Sequence, residues 1–244
     1  MKERRVLLII PSYNEEENVL NNYNKILEFN KKSKLKYDAI VINDGSKDKT
    51  EEICIKNNIP HITLVNNLGI GGAVQTGYKY ALNNGYDIAV QFDGDGQHDV
   101  NYVKNIIDPI INGECDMCVG SRFIDKSSSE FKSSFARRIG IKIISLAIKL
   151  KTGKKICDTT SGFRAADKAI ISEFASEYPA EYPEPISTVS LLKKGYKVSE
   201  VAVSMNEREF GTSSIKAWKT IYYMLNVIIS IMVTGFGGKK WVLV

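Results

Sequence analysis

The feature that most constrains the fold of this chain is a regular alternation of short apolar runs with stretches of helical periodicity. The apolar runs occupy residues 6–10, 39–42, 62–65 and 88–92, with a shorter one at 117–119. Between them, apolar residues recur three or four positions apart, as in residues 71–82 and 101–111. Short, continuously apolar strands that alternate with helices are typical of a mostly parallel sheet covered on both faces. The sequence therefore predicts an α/β fold.

The first helix is predicted to begin directly after the first apolar run. Three consecutive acids, Glu15 to Glu17, suit the positive end of a helix. Asn14 and Glu17 have the spacing of a capping box, in which each side chain binds a backbone N–H of the first turn. We therefore expect a helix that begins at Glu15.

Polar side chains follow four of the apolar runs at the point where each predicted strand ends. They are Tyr13 and Glu15, Asn43 and Asp44, Asn66 and Asn67, and Asp93, Asp95 and Gln97. In open parallel sheets, ligands bind at the carboxyl ends of the strands. The sequence therefore predicts a nucleotide-like site at this edge of the sheet.

The segment Asp93-Gly94-Asp95 places two carboxylates close to one point, and its glycines permit a tight turn. Carboxylate and amide oxygens suit hard cations such as Mg²⁺ or Mn²⁺, which often bridge a protein to substrate phosphates. An acidic turn that merely closes a strand is the alternative. The glycine-rich segment 66–72 resembles a phosphate loop but lacks the Walker lysine, so helix–strand packing is its simpler interpretation.

The net charge of +5 is concentrated in one region of this 244-residue chain. Residues 126–155 contain nine Lys and Arg residues and a single acid, Glu130, which gives +8 and leaves −3 for the remainder. Such a block indicates a localised anionic partner, namely phosphate, nucleic acid or an anionic membrane surface. Written as a helix, residues 137–151 form a basic stripe of Arg138, Lys142, Ser145 and Lys149 beside a broad aliphatic face. This pattern favours a helix that lies in lipid headgroups, and we expect no nucleic-acid binding.

A second membrane-associated helix is predicted near the C-terminus, where residues 220–238 carry no charge. Glycines begin at Gly235, so the helix has about 15 residues and spans roughly 22 Å. The hydrocarbon core of a bilayer is about 30 Å thick. We therefore expect an interfacial helix or one that packs on a small membrane partner, with a buried helix of the main domain as the alternative.

Four ordered motifs carry a resemblance to a known family. They are PSYNEEENV at 11–19, NDGSKDKT at 43–50, NNLGIGGAVQTGYKYA at 66–81 and FDGDGQH at 92–98. Together they resemble family-2 glycosyltransferases with the GT-A fold, and within that family the dolichyl- and polyprenyl-phosphate mannosyltransferase-like branch. The resemblance continues through GSRF at 120–123, DTTSGFRA at 158–165 and EREFGTSSI at 207–215.

The resemblance implies a GT-A, Rossmann-like catalytic domain over residues 1–214, with the basic amphipathic insertion at 133–155. Residues 215–244 then form an apolar, membrane-associated helix and tail. The implied reaction is an inverting transfer of a sugar from a nucleotide-diphosphate donor to a polyprenyl phosphate, with Mg²⁺ or Mn²⁺. The implied location is the cytoplasmic face of a membrane, with a small membrane protein or a second copy of the chain as a further partner.

The resemblance also assigns roles to individual residues. The implied metal ligands are Asp95 and Gln97, and the implied catalytic residues are Asp93, Asp95 and Arg208. Glu184 joins the catalytic candidates because the prolines on either side of it restrict its backbone, which suits a fixed site residue. The expected donor-binding residues are Pro11, Tyr13, Glu15, Asn43, Asp44, Gly71 and Asp93. The expected acceptor-binding residues are Arg122, Arg137, Arg138, Asp158 and Ser161.

Two alternatives stay open at this point. The same fold could transfer a sugar to a hydroxyl of a lipid-linked or cell-surface saccharide. That reaction needs a carboxylate as general base, for which Glu184 and Asp158 are the candidates. The chain could also be a non-catalytic, membrane-bound interaction protein that has kept the fold.

Overall fold

The computed structural model describes residues 4–33, 36–124, 135–204 and 217–234, in which the chain forms one seven-stranded sheet flanked by helices. The strands are β1 (Val6–Ser12), β2 (Asp38–Asn43), β3 (His61–Thr63), β4 (Ile88–Gln91), β5 (Met117–Ser121), β6 (Arg164–Asp167) and β7 (Val198–Ala202). The helices are α1 (Val19–Lys32), α2 (Thr50–Lys56), α3 (Gly69–Asn83), α4 (Val103–Ile111), α5 (Phe135–Thr152), α6 (Lys168–Ser176), α7 (Pro183–Lys193) and α8 (Ala217–Val233). The prediction of a mostly parallel sheet flanked by helices is confirmed.

The strand order is β3-β2-β1-β4-β6-β5-β7, and only β6 runs antiparallel to its neighbours in this sheet. Because of that direction, the segment that enters β6 lies at the same edge as the carboxyl ends of β1, β2 and β4. The apolar pattern did not predict β6, since its sequence Arg-Ala-Ala-Asp contains no apolar run.

The first apolar run forms a strand that is buried on both faces. All seven residues of β1 are buried, and its side chains alternate between two clusters. Leu8 and Ile10 pack in the cluster that includes α1 and α4, whereas Leu7 and Ile9 pack in the cluster that includes α3 and α6. A strand covered on both sides does not need polar alternation, which explains its continuous apolar sequence.

The predicted start of the first helix is wrong. Helix α1 begins at Val19, and no side chain caps its N-terminus. Asn14 instead adopts a left-handed conformation with φ of 56°, where its side-chain oxygen accepts a hydrogen bond from the Lys47 backbone N–H at 2.8 Å. Its own N–H donates to Ser46 Oγ at 2.9 Å. These two hydrogen bonds connect the loop after β1 to the loop after β2. Because Asn14 makes them, it does not cap the helix as the capping-box pattern predicts.

Helix α3 approaches the segment before α7 very closely at Gly71. A Cβ atom at this position would lie 2.3 Å from the carbonyl oxygen of Pro179 and 2.6 Å from that of Ala180. Gly71 therefore allows two backbones to touch and does not line the candidate cleft described below. The glycine-rich segment serves helix packing here, and this close approach places the start of α7 beside the sheet edge.

A third cluster joins α5, α7 and α8. Its buried members include Ile144 and Ile148 of α5, Val189 of α7, and Val227 and Ile231 of α8. The predicted basic stripe on α5 is correct at Arg138, Lys142 and Lys149, which are exposed. It is wrong at Ser145, which is buried and donates a hydrogen bond to the Ile156 carbonyl.

We expect Gly71→Ala to destabilise the fold by about 1–3 kcal/mol, the range typical of overpacking, because its methyl group would meet backbone oxygens that cannot move aside. Gly140→Ala on α5 is the matched control, since its methyl group would meet the flexible Met224 side chain. Urea unfolding of both variants measures the difference. Equal stability of the two variants would contradict the rigid contact at Gly71.

Candidate active site

A cleft of about 400 Å³ lies at the sheet edge where the polar strand ends were predicted to meet. It runs across the ends of β2, β1 and β4 to the segment that enters β6 and the first turn of α7. Seven of the predicted site residues line it: Pro11, Tyr13, Glu15, Asp44, Asp93, Asp95 and Glu184. Ser12, Ile70, Ala73, Gln91, Gly94, Thr160 and Gly162 complete the lining.

One end of the cleft is built around Asp44. Its Oδ1 accepts a hydrogen bond from the Leu68 backbone N–H at 2.7 Å, which fixes the start of α3. Burial raises the pKa of Asp44, whereas the backbone N–H groups of Leu68 and Gly69 oppose that rise. Tyr13 is 43% exposed beside it, so its ring can stack on a flat ligand. This end of the cleft therefore suits a nucleoside.

Asn43 supports that end without lining it. The side chain is fully buried, donates to Thr63 Oγ1 at 3.2 Å and accepts from the Ser46 backbone N–H at 3.2 Å. The structure therefore places Asn43 behind the loop that carries Asp44. Direct donor contact by Asn43 stays a prediction.

The turn after β4 holds Asp93 and Asp95 in the middle of the cleft. Gly94 packs so tightly that a Cβ atom there would lie 2.8 Å from the Pro11 carbonyl oxygen. The Asn22 amide of α1 donates to the Gly94 carbonyl, and Asp95 Oδ1 accepts from the Gln97 N–H at 3.1 Å. These contacts fix the backbone of the turn, so the two carboxylates are held at the cleft.

His98 supports the same turn, a role that no sequence pattern predicted. Its Nδ1 accepts a hydrogen bond from the Asp93 N–H at 2.9 Å, and its ring stacks on Phe163 with 4.6 Å between centroids. Burial lowers the pKa of His98, which keeps the ring neutral and its Nδ1 able to accept. His98 therefore belongs to the support of the turn.

The donor atoms at the turn fit a hard divalent cation. Asp93 and Asp95 present carboxylates to the cleft, whereas Gln97 is not among the residues that line it, and Mg²⁺ typically takes one or two carboxylates plus waters and substrate phosphates. Across the described residues, no group of three or more His, Cys, Asp and Glu side chains could enclose a metal ion.

Arg122 and Asp158 form a buried ion pair that does not line the cleft itself, although Arg122 Nη2 also donates to the cleft residue Thr160 at 3.2 Å. The Arg122 Nε and Nη2 atoms donate to the two Asp158 carboxylate oxygens at 2.7 and 2.8 Å. The Asp158 side chain has no exposed surface, and its backbone N–H donates to Glu200 at 2.8 Å. Because both oxygens accept from Arg122, Asp158 is not available to take a proton from a ligand. The alternative of Asp158 as general base is therefore wrong.

Of the remaining predicted acceptor residues, neither Ser161 nor Arg138 lines the cleft. Ser161 is buried and donates to the Gly120 carbonyl at 2.6 Å, while Arg138 is exposed on α5. The side chain of Arg137 and all of Arg208 lie outside the described part of the chain. Acceptor binding by Arg122, Arg137, Arg138 and Ser161 stays a prediction, as does the catalytic role of Arg208.

Glu184 is the only predicted base that lines the cleft. It stands in the first turn of α7 and is half-buried. Burial raises the pKa of Glu184, and the nearby Arg164 guanidinium is the largest opposing influence. Prolines 183 and 185 belong to the start of this helix, so Glu184 is carried by a helix turn and not by a loop.

Comparison with known proteins gives a family model and full-length relatives. The model described as Glycosyl transferase family 2 matches residues 7–174. The UDP-N-acetylglucosamine–dolichyl-phosphate N-acetylglucosaminyltransferase of Methanococcus voltae is 32% identical, over 92% of this chain and 96% of that protein. The polyprenol monophosphomannose synthase of Mycolicibacterium smegmatis is 26% identical, over 87% of this chain and 81% of that protein.

A solved structure shares the fold. Glucosyl-3-phosphoglycerate synthase from Mycobacterium tuberculosis, crystallised with Mn²⁺, uridine diphosphate and phosphoglyceric acid, aligns with a TM-score of 0.68 and 16% identity. The alignment covers 94% of this chain and 78% of that chain.

We expect Asp158→Ala to lower the free energy of unfolding by about 3–5 kcal/mol, because it leaves the buried Arg122 guanidinium without its partner. Arg138→Ala, which removes an exposed cation, is the control and should change stability by no more than about 0.5 kcal/mol. Urea unfolding measures both.

The double variant Arg122→Met/Asp158→Leu removes both charges together and should recover most of the loss. A loss below about 1 kcal/mol for Asp158→Ala would show that the pair contributes little to the fold.

Proposed function

Because the chain belongs to glycosyl transferase family 2, we propose that it transfers a sugar from a nucleotide diphosphate to the phosphate group of a polyprenyl lipid. The observation that carries the proposal is the cleft that joins Tyr13 and Asp44 to the Asp93–Asp95 turn at one sheet edge. The names of the relatives from M. voltae and M. smegmatis support a polyprenyl-type phosphate acceptor.

The charge of the cleft supports a requirement for a divalent cation. Five carboxylates line it, and no Lys or Arg of the described residues does: Glu15, Asp44, Asp93, Asp95 and Glu184. A diphosphate would be repelled by this surface unless a cation were bound with it. We infer that Asp95 and Gln97 hold Mg²⁺ or Mn²⁺, which would neutralise charge on the departing diphosphate. The Mn²⁺ and uridine diphosphate bound by the M. tuberculosis structure support this inference.

In the proposed reaction, an oxygen of the lipid phosphate attacks the anomeric carbon of the sugar. The bond from that carbon to the diphosphate oxygen breaks, and its electron pair leaves with the nucleoside diphosphate, so the configuration inverts. Tyr13 and Asp44 would hold the nucleoside, and the Asp93–Asp95 turn would hold the donor at the middle of the cleft. A rigid turn lowers the barrier because its charges need little reorganisation during the reaction.

The acceptor phosphate is anionic at neutral pH and needs no general base. A second candidate function, transfer to a saccharide hydroxyl, does need one. The position of Glu184 in the cleft and its raised pKa favour this second candidate. Activity of a Glu184 variant separates the two functions.

We further propose that exposed side chains of α5 and α8 form a lipid face that rests on a membrane. It presents the apolar residues Ile139, Ile143, Leu146, Leu150, Leu225, Ile229, Met232 and Val233. The exposed cations of α5 lie beside this apolar surface, as expected for contact with anionic headgroups. Among the described helices, none is long and apolar enough to cross a membrane. Binding at the cytoplasmic surface by these two helices accounts for access to a lipid phosphate.

Transfer assays with a panel of nucleotide sugars, Mn²⁺ and polyprenyl phosphate test the reaction. Asp95→Asn should lower kcat by about 10²–10³-fold, the typical loss when one electrostatic group is removed from a site. Asp108→Asn, an exposed carboxylate on α4, is the matched control. Cellular function that survives Asp95→Asn would instead support a non-catalytic interaction protein.

The acceptor is tested with Glu184→Gln in the same assay. If the lipid phosphate is the acceptor, the variant should keep at least about a tenth of wild-type kcat, because no proton has to be removed. Loss of a general base would cost about 10²–10⁴-fold. Such a loss, together with product on a saccharide acceptor, would favour the second candidate.

Sedimentation with lipid vesicles tests the lipid face. The double variant Lys142→Glu/Lys149→Glu should bind anionic vesicles at least about tenfold more weakly, since each cation near such a surface contributes about 1 kcal/mol. Lys56→Glu/Lys79→Glu carries the same charge change on α2 and α3 and serves as the control. Equal binding of the two double variants would refute the assignment of this surface.

A further inference from the structure

A second cavity, of about 480 Å³, lies between α1 and the segment 92–101 that follows β4. It is larger than the cleft, which has about 400 Å³, and its size is typical of small-molecule sites. As the described residues define them, the two linings have no residue in common. The transfer reaction therefore leaves this cavity without a role.

The inner wall of the cavity is apolar and aromatic. Phe92 and Val100 are buried, and Phe29 of α1 is half-buried. The Phe29 ring stacks on Tyr37 with 5.2 Å between centroids and 9° between planes. The Asn30 amide holds the Tyr37 backbone, donating to its carbonyl at 2.8 Å and accepting from its N–H at 2.9 Å. Because the ring is fixed from behind, it offers a preformed surface for the apolar face of a ligand.

The outer lining of the cavity carries balanced charge. Lys25 and Lys32 of α1 supply two cations, and Glu28 and Asp99 supply two carboxylates. Ammonium groups only donate hydrogen bonds, whereas ionised carboxylates only accept them. A ligand that pairs with both sets must carry acceptors and donors on one small body. The cleft differs, since five carboxylates and no cation of the described residues line it.

This combination of groups favours an uncharged ligand that is rich in hydroxyl groups. A hydroxyl both donates and accepts, so it can pair with a lysine or with a carboxylate. A sugar ring carries several hydroxyls around an apolar C–H face, which fits a wall made of an aromatic ring. A purely apolar compound would cover the charged groups without pairing them, which is costly. The lining therefore suits a neutral saccharide.

Two residues of this cavity also hold the catalytic turn. The Asn22 amide donates to the Gly94 carbonyl, and His98 Nδ1 accepts from the Asp93 N–H at 2.9 Å. Asn22 and His98 line the cavity and are 3% and 4% exposed, whereas Asp93 and Gly94 line the cleft. On the cleft side, Gln91 Nε2 donates to Asp93 Oδ1 at 3.3 Å. A ligand that restricts Asn22 and His98 therefore restricts the turn as well.

We propose that the cavity between α1 and residues 92–101 is a second, non-catalytic site that binds a neutral saccharide. Saccharide bound there strengthens the binding of a metal-bound nucleoside diphosphate at the Asp93–Asp95 turn. Such a coupling is reciprocal, so the nucleotide strengthens saccharide binding by the same factor. The saccharide site stands on its own geometry, while the coupling rests on the proposed function.

Titrations of the ¹⁵N-labelled chain with glucose, mannose, N-acetylglucosamine and maltose, followed by NMR, test the site. At least one of these saccharides should bind, and Lys32→Met should weaken that binding at least about tenfold, because it removes a charged hydrogen-bond donor. Lys31→Met is the matched control, since it removes the neighbouring cation of α1, which lies outside the lining. It should change the affinity less than about twofold. Circular dichroism confirms that both variants are folded.

The neutrality of the ligand is tested with glucuronic acid and glucosamine, the anionic and cationic analogues of glucose. Because the charges of the lining balance, neither analogue should bind more than about threefold more tightly than glucose. A larger preference for either would overturn the assignment of a neutral ligand.

The coupling is tested by calorimetry of Mn²⁺ with UDP and with GDP, in the absence and presence of the saccharide that binds. The saccharide should raise the affinity for the accepted diphosphate at least about fivefold, as is typical of coupled sites. Lys32→Met should abolish this increase at the same saccharide concentration, and Lys31→Met should keep it.

Each contrary result overturns a specific point. The site is refuted if folded wild-type protein binds none of the saccharides, or if the two lysine variants bind them equally well. Displacement of the saccharide by Mn²⁺ and the diphosphate would place it in the cleft and also refute the site. Saccharide binding without a change in diphosphate affinity would refute the coupling. A folded protein that binds neither diphosphate with Mn²⁺ would refute the proposed function and the coupling with it, whereas the titrations would still decide the saccharide site.

Discussion

The direction of one strand determines how this site is assembled. Because β6 runs antiparallel between β4 and β5, the segment before it arrives at the edge where β1, β2 and β4 end. That segment brings Gly162 against the Asp93 carboxylate and Ser161 against the Gly120 carbonyl. With a parallel strand in this place, the same segment would lie at the opposite edge. The cleft would then lack the lining that Thr160 and Gly162 provide, and the start of α7 would not be held beside it.

The sequence predicted the central strands well because their burial on both faces requires continuous apolar runs. It also predicted that Asp44, Asp93 and Asp95 would meet, since parallel strands end at a common edge. It could not predict β6, because a strand that begins with a buried Arg164 has no hydropathy signal. Burial of that guanidinium depends on carbonyl groups of residues 161 and 184, which only the tertiary fold supplies.

The other differences between expectation and structure have the same origin. The sequence around Asn14 has the local pattern of a capping box. In the structure, Asn14 instead forms hydrogen bonds with residues 46 and 47 of the loop after β2. Gly71 is predicted to bind the donor, but in the structure it packs against the backbone carbonyl groups of residues 179 and 180. Gln91 and His98 carry no functional signal in the sequence, because one amide or one imidazole near a strand end is an ordinary feature. Their importance follows from the groups that they bind.

The two charged surfaces of the protein favour opposite ligands. Among the described residues, the cleft is lined by carboxylates and no basic side chain, so it would repel a diphosphate that carried no cation. The exposed surface of α5 carries Arg138, Lys142 and Lys149 and attracts anionic groups directly. Under the proposed function, a lipid phosphate would be attracted by the basic surface of α5 and repelled by the carboxylates of the cleft, so a cation bound with the donor would favour its approach to the sugar.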